Sequence, residues 1–161
     1  MIEVIKSMGK KYTLRVDGKE VTKDGLKERF DRYNKLYFWG KLGKCDFFWL
    51  ATGPGFCGKY AEKKAKNGKI SSRIGITRSV RWTEETLKEL MVHEMIHMYV
   101  STVEGKAHDG VLGHGRRFRA HCKRLKNDFG LSIRKNGGFE ETNKKPSTKI
   151  WEKVLLWLID W

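Results

Sequence analysis

Two histidines four residues apart, His93 and His97, with Glu94 beside the first, are the residues whose types and spacing most directly imply chemistry. On a helix, positions four apart lie one turn apart on the same face, so both imidazoles can aim at one point. A zinc ion held there needs one more protein ligand, and a catalytic site keeps its fourth position open. Glu94 is then placed to take a proton from an activated water and return it to a leaving amine, as in a metallohydrolase. The plainer reading makes both histidines satisfied core residues and Glu94 a solvated one. The rarity of the five-residue pattern His93-Glu94-Met95-Ile96-His97 weighs against it.

The element that must carry these groups is a helix running from Thr83 to about Val100. Leu87, Leu90 and Met91 continue a helical period into the motif, Thr83 is a suitable N-cap, and Glu84 and Glu85 occupy the favoured first turn. Ser101 to Gly113, with Gly105, Gly110 and Gly113, has the composition of a loop. Beyond it, His114 shares a helical period with Phe118, Cys122, Leu125 and Phe129, which places it on an inward helix face and makes it the first choice of third ligand. His108, in the loop, and His121 are fallback ligands or bystanders.

The remaining elements read as support. Tyr12 to Val16, the Asp17-Gly18 turn and Lys19 to Thr22 form a hairpin pattern. Asp24 is the expected cap of a helix whose apolar stripe is Leu26, Phe30, Tyr33 and Tyr37, ending near Trp39-Gly40. The aromatic run Tyr37-Phe38-Trp39 is read as packing rather than a base-stacking platform. Lys44 to Leu50 suits a buried strand before the turn-rich Thr52-Gly53-Pro54-Gly55. From Phe56 to Thr77, Asn67-Gly68 sits between two extended stretches. A two-residue loop there pairs Ala65 with Ile70, Glu62 with Arg73 and Ala61 with Ile74. Lys63, Lys64, Lys66 and Lys69 at its tip are read as a solvated end more than a phosphate grip. Asn136 to Ser147 has loop composition, and the apolar, tryptophan-rich Ile150 to Trp161 is expected to dock on the core.

Length and composition bound the answer. The 161 residues suit one domain, divided as hairpin 1–22, core 23–130 and C-terminal extension 131–161. No leading signal pattern and no membrane-spanning apolar run is visible, so a soluble, cytoplasmic protein with no membrane partner is expected. Cys45, Cys57 and Cys122 form neither a CxxC pair nor an even set, which argues against a disulfide framework or a cysteine zinc ribbon. The net charge of +15, from 34 Lys and Arg against 19 Asp and Glu, points to a polyanionic partner, with nucleic acid first. Arg119, Lys123 and Lys126, with Arg116, Arg117, Arg124, Arg134 and Lys135 nearby, are either a solvated face or a track for a phosphate backbone.

Three motifs in order resemble the SprT-like family, without its C-terminal zinc ribbon. They are Tyr33-Asn34-Lys35-Leu36-Tyr37-Phe38 before Gly40-Lys41-Leu42, His93-Glu94-Met95-Ile96-His97, and Gly113-His114-Gly115 with Phe118 downstream. The resemblance covers roughly Leu26 to Phe129. It implies an α+β fold of the small zincin-like, minigluzincin type, with helices packed on a small antiparallel sheet. It also implies zinc held by His93, His97 and His114, with Glu94 as general base. The animal member Spartan is a DNA-dependent protease of DNA–protein crosslinks, so a protein substrate near DNA, in DNA repair, is the implied setting. An extended substrate is expected to add beside an edge strand, for which Ile70 to Thr77 is the candidate. Two rivals stand beside this zinc endopeptidase. One is a DNA-binding module with a structural zinc and no turnover, and the other is a zinc hydrolase of a non-protein amide.

Overall fold

A computed structural model describes residues 14–50 and 57–135. The Thr52-Gly53-Pro54-Gly55 turn, the loop from Asn136 and the tryptophan-rich tail lie outside the described residues.

The described residues open on a hairpin of β1 (Leu14–Val16) and β2 (Lys19–Val21), paired Val16 to Lys19. Asp17 (φ 49°) and Gly18 (φ 76°) both take the left-handed conformation that a two-residue hairpin turn demands. Helix α1 follows (Lys23–Phe38). Its cap is Thr22 and not Asp24: the Thr22 hydroxyl accepts from the Gly25 N–H at 3.2 Å, and Asp24 falls in the first turn. Leu26, Phe30 and Tyr33 are buried as their spacing requires, and Phe38 joins them. Trp39 departs from the packing expectation. It ends the helix at φ 56° and is 59% exposed, with the Arg124 guanidinium 4.4 Å over its ring. Asn34, buried, then exchanges two hydrogen bonds with the backbone of Leu42 and so fixes the turn into the sheet.

That sheet contains β3 (Cys45–Leu50), β4 (Gly58–Lys64) and β5 (Ile70–Thr77) in the order β3-β5-β4. It is mixed rather than antiparallel, because β3 runs parallel to β5 while β4 and β5 form a hairpin. The hairpin register differs by one residue from the sequence expectation: Glu62 pairs with Ser72 and Ala61 with Arg73. The cause is the loop. Ala65 accepts from Gly68 N–H and donates to Lys69 C=O, enclosing three residues rather than two, with Gly68 at φ 80°. Asn-Gly suits that three-residue turn as well as the two-residue one. Position β5 also overturns its role as an edge: it is the central strand, and β4 is the edge that packs against the next helix.

Helix α2 (Glu84–Thr102) is the centre of the molecule. Thr83 caps it with a reciprocal box to Thr86, and the Asp17 carboxylate accepts from the Glu84 N–H at 3.0 Å, at the end where the helix dipole favours negative charge. Buried residues surround it, from Leu87 and Leu90 through Met91, Val92, Met95 and Ile96 to Val100. Such a helix is a core helix rather than a surface one. It packs on β4 and β5 on one side and on α1 and α3 (Arg116–Phe129) on the other. None of the described helices is long and apolar enough to cross a membrane.

Candidate metal centre and active site

His93 and His97 leave the same face of α2, and Phe118 of α3 packs under both rings with centroids 4.8 and 4.7 Å away. His114 reaches them from a different position than its periodicity implied. It precedes α3, whose N-cap is Gly115, so it sits at the end of the connecting loop and not on the helix face. Two devices hold it there. Asp109 accepts from the Phe118 N–H at 2.7 Å through its side chain and from the Gly115 N–H at 2.5 Å through its backbone, closing the loop on itself. Glycine is also required around His114: a Cβ on Gly115 would meet Asp109 backbone at 2.5 Å, and Gly113 has φ 70° beside the His97 ring.

The three Nε2 atoms converge. They lie 3.2 Å (His93–His97), 3.2 Å (His97–His114) and 3.1 Å (His93–His114) apart. Among the described residues this is the group of side chains able to share a metal ion. His93 Nδ1 lies 2.8 Å from the Arg134 carbonyl, a contact that needs the proton on Nδ1 and leaves a lone pair on Nε2. Burial, aided by His114, pushes His93 down to about 4, burial aided by both other imidazoles lowers His97 further, and burial lowers His114 as well. The cluster therefore resists protonation and presents lone pairs to one another, an arrangement that a cation relieves. Tetrahedral zinc with Zn–N near 2.05 Å sets its ligand nitrogens about 3.3 Å apart. The observed triangle fits that donor set.

Glu94 is buried, 5% exposed, and burial pushes its carboxyl up to about 8 against the lowering effect of a hydrogen bond from Tyr60. That bond is the Tyr60 backbone N–H donating to Oε2 at 2.7 Å. A Cβ on Gly58 would meet Leu90 at 2.6 Å and Glu94 Oε1 at 2.9 Å, so the bare backbone of β4 makes room for the carboxylate. His121 is not part of the cluster: its Nε2 faces Glu104 Oε1 at 2.8 Å, and Arg117 reaches the other Glu104 oxygen. His108, exposed in the loop, is also outside it.

Residues 26–143 match the SprT-like family model. The chain belongs to the SprT-like family. Among its relatives, the DNA-dependent metalloprotease dvc-1 of Caenorhabditis elegans is 29% identical over 108 residues, covering 65% of this chain and 28% of that protein. The DNA-dependent metalloprotease SPRTN of Homo sapiens is 28% identical over 109 residues, covering 67% of this chain and 22% of that protein. This SprT-like chain thus spans about a quarter of the length of the relatives it matches. The α+β architecture expected from the resemblance is the one observed. Reasoning from sequence missed Asp109, Gly58, Tyr60 and Arg134. Only the closely spaced glycines around His114 signalled any of these supports.

Proposed function

We propose that this chain is a zinc endopeptidase acting on proteins at or near DNA, with His93, His97 and His114 as ligands and Glu94 as general base. The observation that carries the reading is the Nε2 triangle of 3.1–3.2 Å, completed by a buried carboxylate on the residue next to the first ligand. Bound zinc would supply Lewis-acid chemistry, polarising a scissile carbonyl and acidifying water. The chain's own residues do the rest. Nδ1 of His93 is held by Arg134, the loop closed by Asp109 delivers His114, and the Tyr60 N–H aims the Glu94 carboxylate. Burial raises the Glu94 carboxyl, and a nearby cation would favour its charged form, the form that accepts a proton.

The substrate edge moves from β5 to β4. β5 has partners on both sides, whereas β4 is flanked only by β5 among the described residues and lies against α2. An extended chain adding to β4 would run past Glu94 using main-chain hydrogen bonds, with little demand on side-chain sequence.

DNA association rests on two supports, the relatives' being DNA-dependent metalloproteases and the charge of +15. On α3, Arg117 pairs with Glu104, and Arg124 donates to the Tyr37 carbonyl and covers Trp39. Arg116, Arg119, Lys123 and Lys126 are exposed on another side of the helix and pair with no carboxylate among the described residues. They form a row about 15 Å long that begins two residues after His114.

The deciding experiment incubates the full chain, loaded with one equivalent of zinc, with a DNA-bound basic protein and with an unstructured protein, each with and without DNA. Cleavage that requires Glu94 and rises with DNA supports the reading. Zinc and DNA binding without Glu94-dependent cleavage would instead favour a binding module, and hydrolysis of small amides alone would favour a non-protein substrate.

A further inference from the structure

Residue 134 touches α2 twice, one helical turn apart. Its backbone N–H and its guanidinium Nε both donate to Glu89 Oε1 at 2.9 Å, and Nη2 donates to Glu89 Oε2 at 2.9 Å. Its carbonyl, on the other side of the same residue, accepts from His93 Nδ1 at 2.8 Å. Glu89 and His93 are four apart on α2 and so share a face. A carboxylate gripped by a forked guanidinium and a main-chain N–H has its partner fixed in both position and rotation. The N–H and side chain of residue 134 are therefore set in register with the helix, which brings its carbonyl, one rotatable bond further along the chain, within reach of His93 Nδ1.

The chain arrives there by a short return. α3 ends at Gly130 (φ 66°), and Leu131 and Ile133 then pack against the core before Arg134 reaches α2. Of the three clustered imidazoles, His93 is the one whose Nδ1 has a hydrogen-bond partner among the described residues. His97 and His114 are oriented by packing on Phe118 and by the glycine loop. A partner on the far nitrogen sets which ring nitrogen carries the lone pair, and its loss typically weakens metal binding about 10–100-fold.

We propose that Glu89 is a positioning residue of the metal centre, acting through Arg134 to hold His93 in the tautomer and orientation that present Nε2 to the ion. The proposal rests on the metal-binding reading given above. It makes the segment 131–135 a functional part of the site, although it supplies no ligand. Glu89 is a surface-type helix residue in sequence, and its role comes from what lies across from it.

The test is zinc affinity of the full, metal-stripped chain, measured by competition with a chromophoric chelator. Glu89→Ala and Arg134→Ala are compared with Arg29→Ala, which breaks the ion pair from α1 to Glu84 on the same helix, away from the histidines. Zinc affinity is expected to fall about 10–100-fold in the first two variants and to stay within about threefold in the third. In the metal-free chain, the imidazole 15N shifts of His93 should move from the Nδ1–H tautomer towards a mixture in Glu89→Ala. Should Glu89→Ala not fold, Glu89→Gln, which keeps one acceptor oxygen, carries the same comparison with a smaller loss. Unchanged affinity and tautomer in the Glu89 and Arg134 variants would overturn the proposal, as would an equal loss in Arg29→Ala. Wild-type chain that binds zinc no better than His97→Ala would overturn both this proposal and the metal-binding reading beneath it.

Discussion

The backbone N–H of Tyr60 donates to the buried carboxylate of Glu94 across 34 positions of sequence, at 2.7 Å. The edge of β4 and the middle of α2 are thus joined at the group proposed as base. A buried carboxylate needs compensation, and here one main-chain N–H supplies it while the glycine at position 58 admits the other oxygen. Two consequences follow, one for protonation and one for packing.

Glu94→Gln should abolish turnover by at least about 10²–10⁴-fold while zinc remains bound, because an amide keeps the acceptor for Tyr60 but cannot take a proton. It should also alter the pH dependence of the metal-free chain. The folded carboxyl sits at about 8, above its ordinary value, so the folded state binds more protons than the unfolded one and stability falls as pH rises towards 8. Below about pH 6.5 the depressed histidines act in the opposite direction, since acid charges them more readily in the unfolded chain. The histidines contribute alike to wild type and to Glu94→Gln, so the difference between the two stability profiles isolates Glu94. Urea denaturation between about pH 6 and 8 should show wild type losing stability relative to Glu94→Gln, with a difference slope of at most about 1.4 kcal/mol per pH unit.

Gly58→Ala should be more harmful than a glycine-to-alanine change in a strand usually is. The added methyl would meet Leu90 side-chain carbons and Glu94 Oε1 below 3.0 Å. Relief by moving Leu90 opens the core, and relief by moving Glu94 displaces the proposed base. A loss of about 1–3 kcal/mol in stability is expected from overpacking, with kcat reduced more than KM for a substrate bound elsewhere along β4. Denaturant titration and steady-state kinetics on the same preparation check both parts.

Much of this arrangement was legible where side-chain period carries the information. The four-residue step from His93 to His97, the stripe of α1 and the Asp17-Gly18 hairpin each follow from local rules. The supports of the site were not legible, because several are main-chain atoms. The N–H of Tyr60 and the C=O of Arg134 belong to groups every residue has, and each meets its partner across more than thirty positions. The parallel pairing of Cys45 with Ser72 likewise has no local signature, so β5 could not be recognised as central. For His114 the helical period extended two residues beyond the helix that produces it. The side chain still reached the site because the Asp109 loop carries it there.

Asp109→Ala tests that loop. Its carboxylate accepts from the third residue of α3, the bond a local cap would otherwise make, since Gly115 has no side chain with which to cap. Loss of such a cap costs about 1–2 kcal/mol, and here it also frees the turn that presents His114. The metal-free chain should lose that stability, and zinc affinity should fall as well because His114 must be reordered on binding. Thermal melts with and without zinc separate the two: a smaller zinc-induced rise in Tm than in wild type is the expected result, and an equal rise would limit Asp109 to capping.

Replacing Arg116, Arg119, Lys123 and Lys126 together with serine should weaken DNA binding without disturbing zinc. These four are exposed, lie along one strip of α3 and take no carboxylate partner among the described residues. Phe118 and Leu125, which anchor the helix, point to the core. If the strip lies along a phosphate backbone, each cation releases a counterion, and the slope of log K against log salt should flatten by about 3 when all four are removed. Arg117→Ser, which breaks the Glu104 pair at the same end of the helix, should leave that slope nearly unchanged. A quadruple variant with unaltered slope would move the DNA contact to another basic surface, such as the lysines at the β4–β5 tip. Because the strip starts two residues after His114, DNA held there would place a protein bound to it near the proposed metal centre. The same variant should therefore lose the DNA stimulation of cleavage while cleaving an unstructured protein without DNA at the wild-type rate.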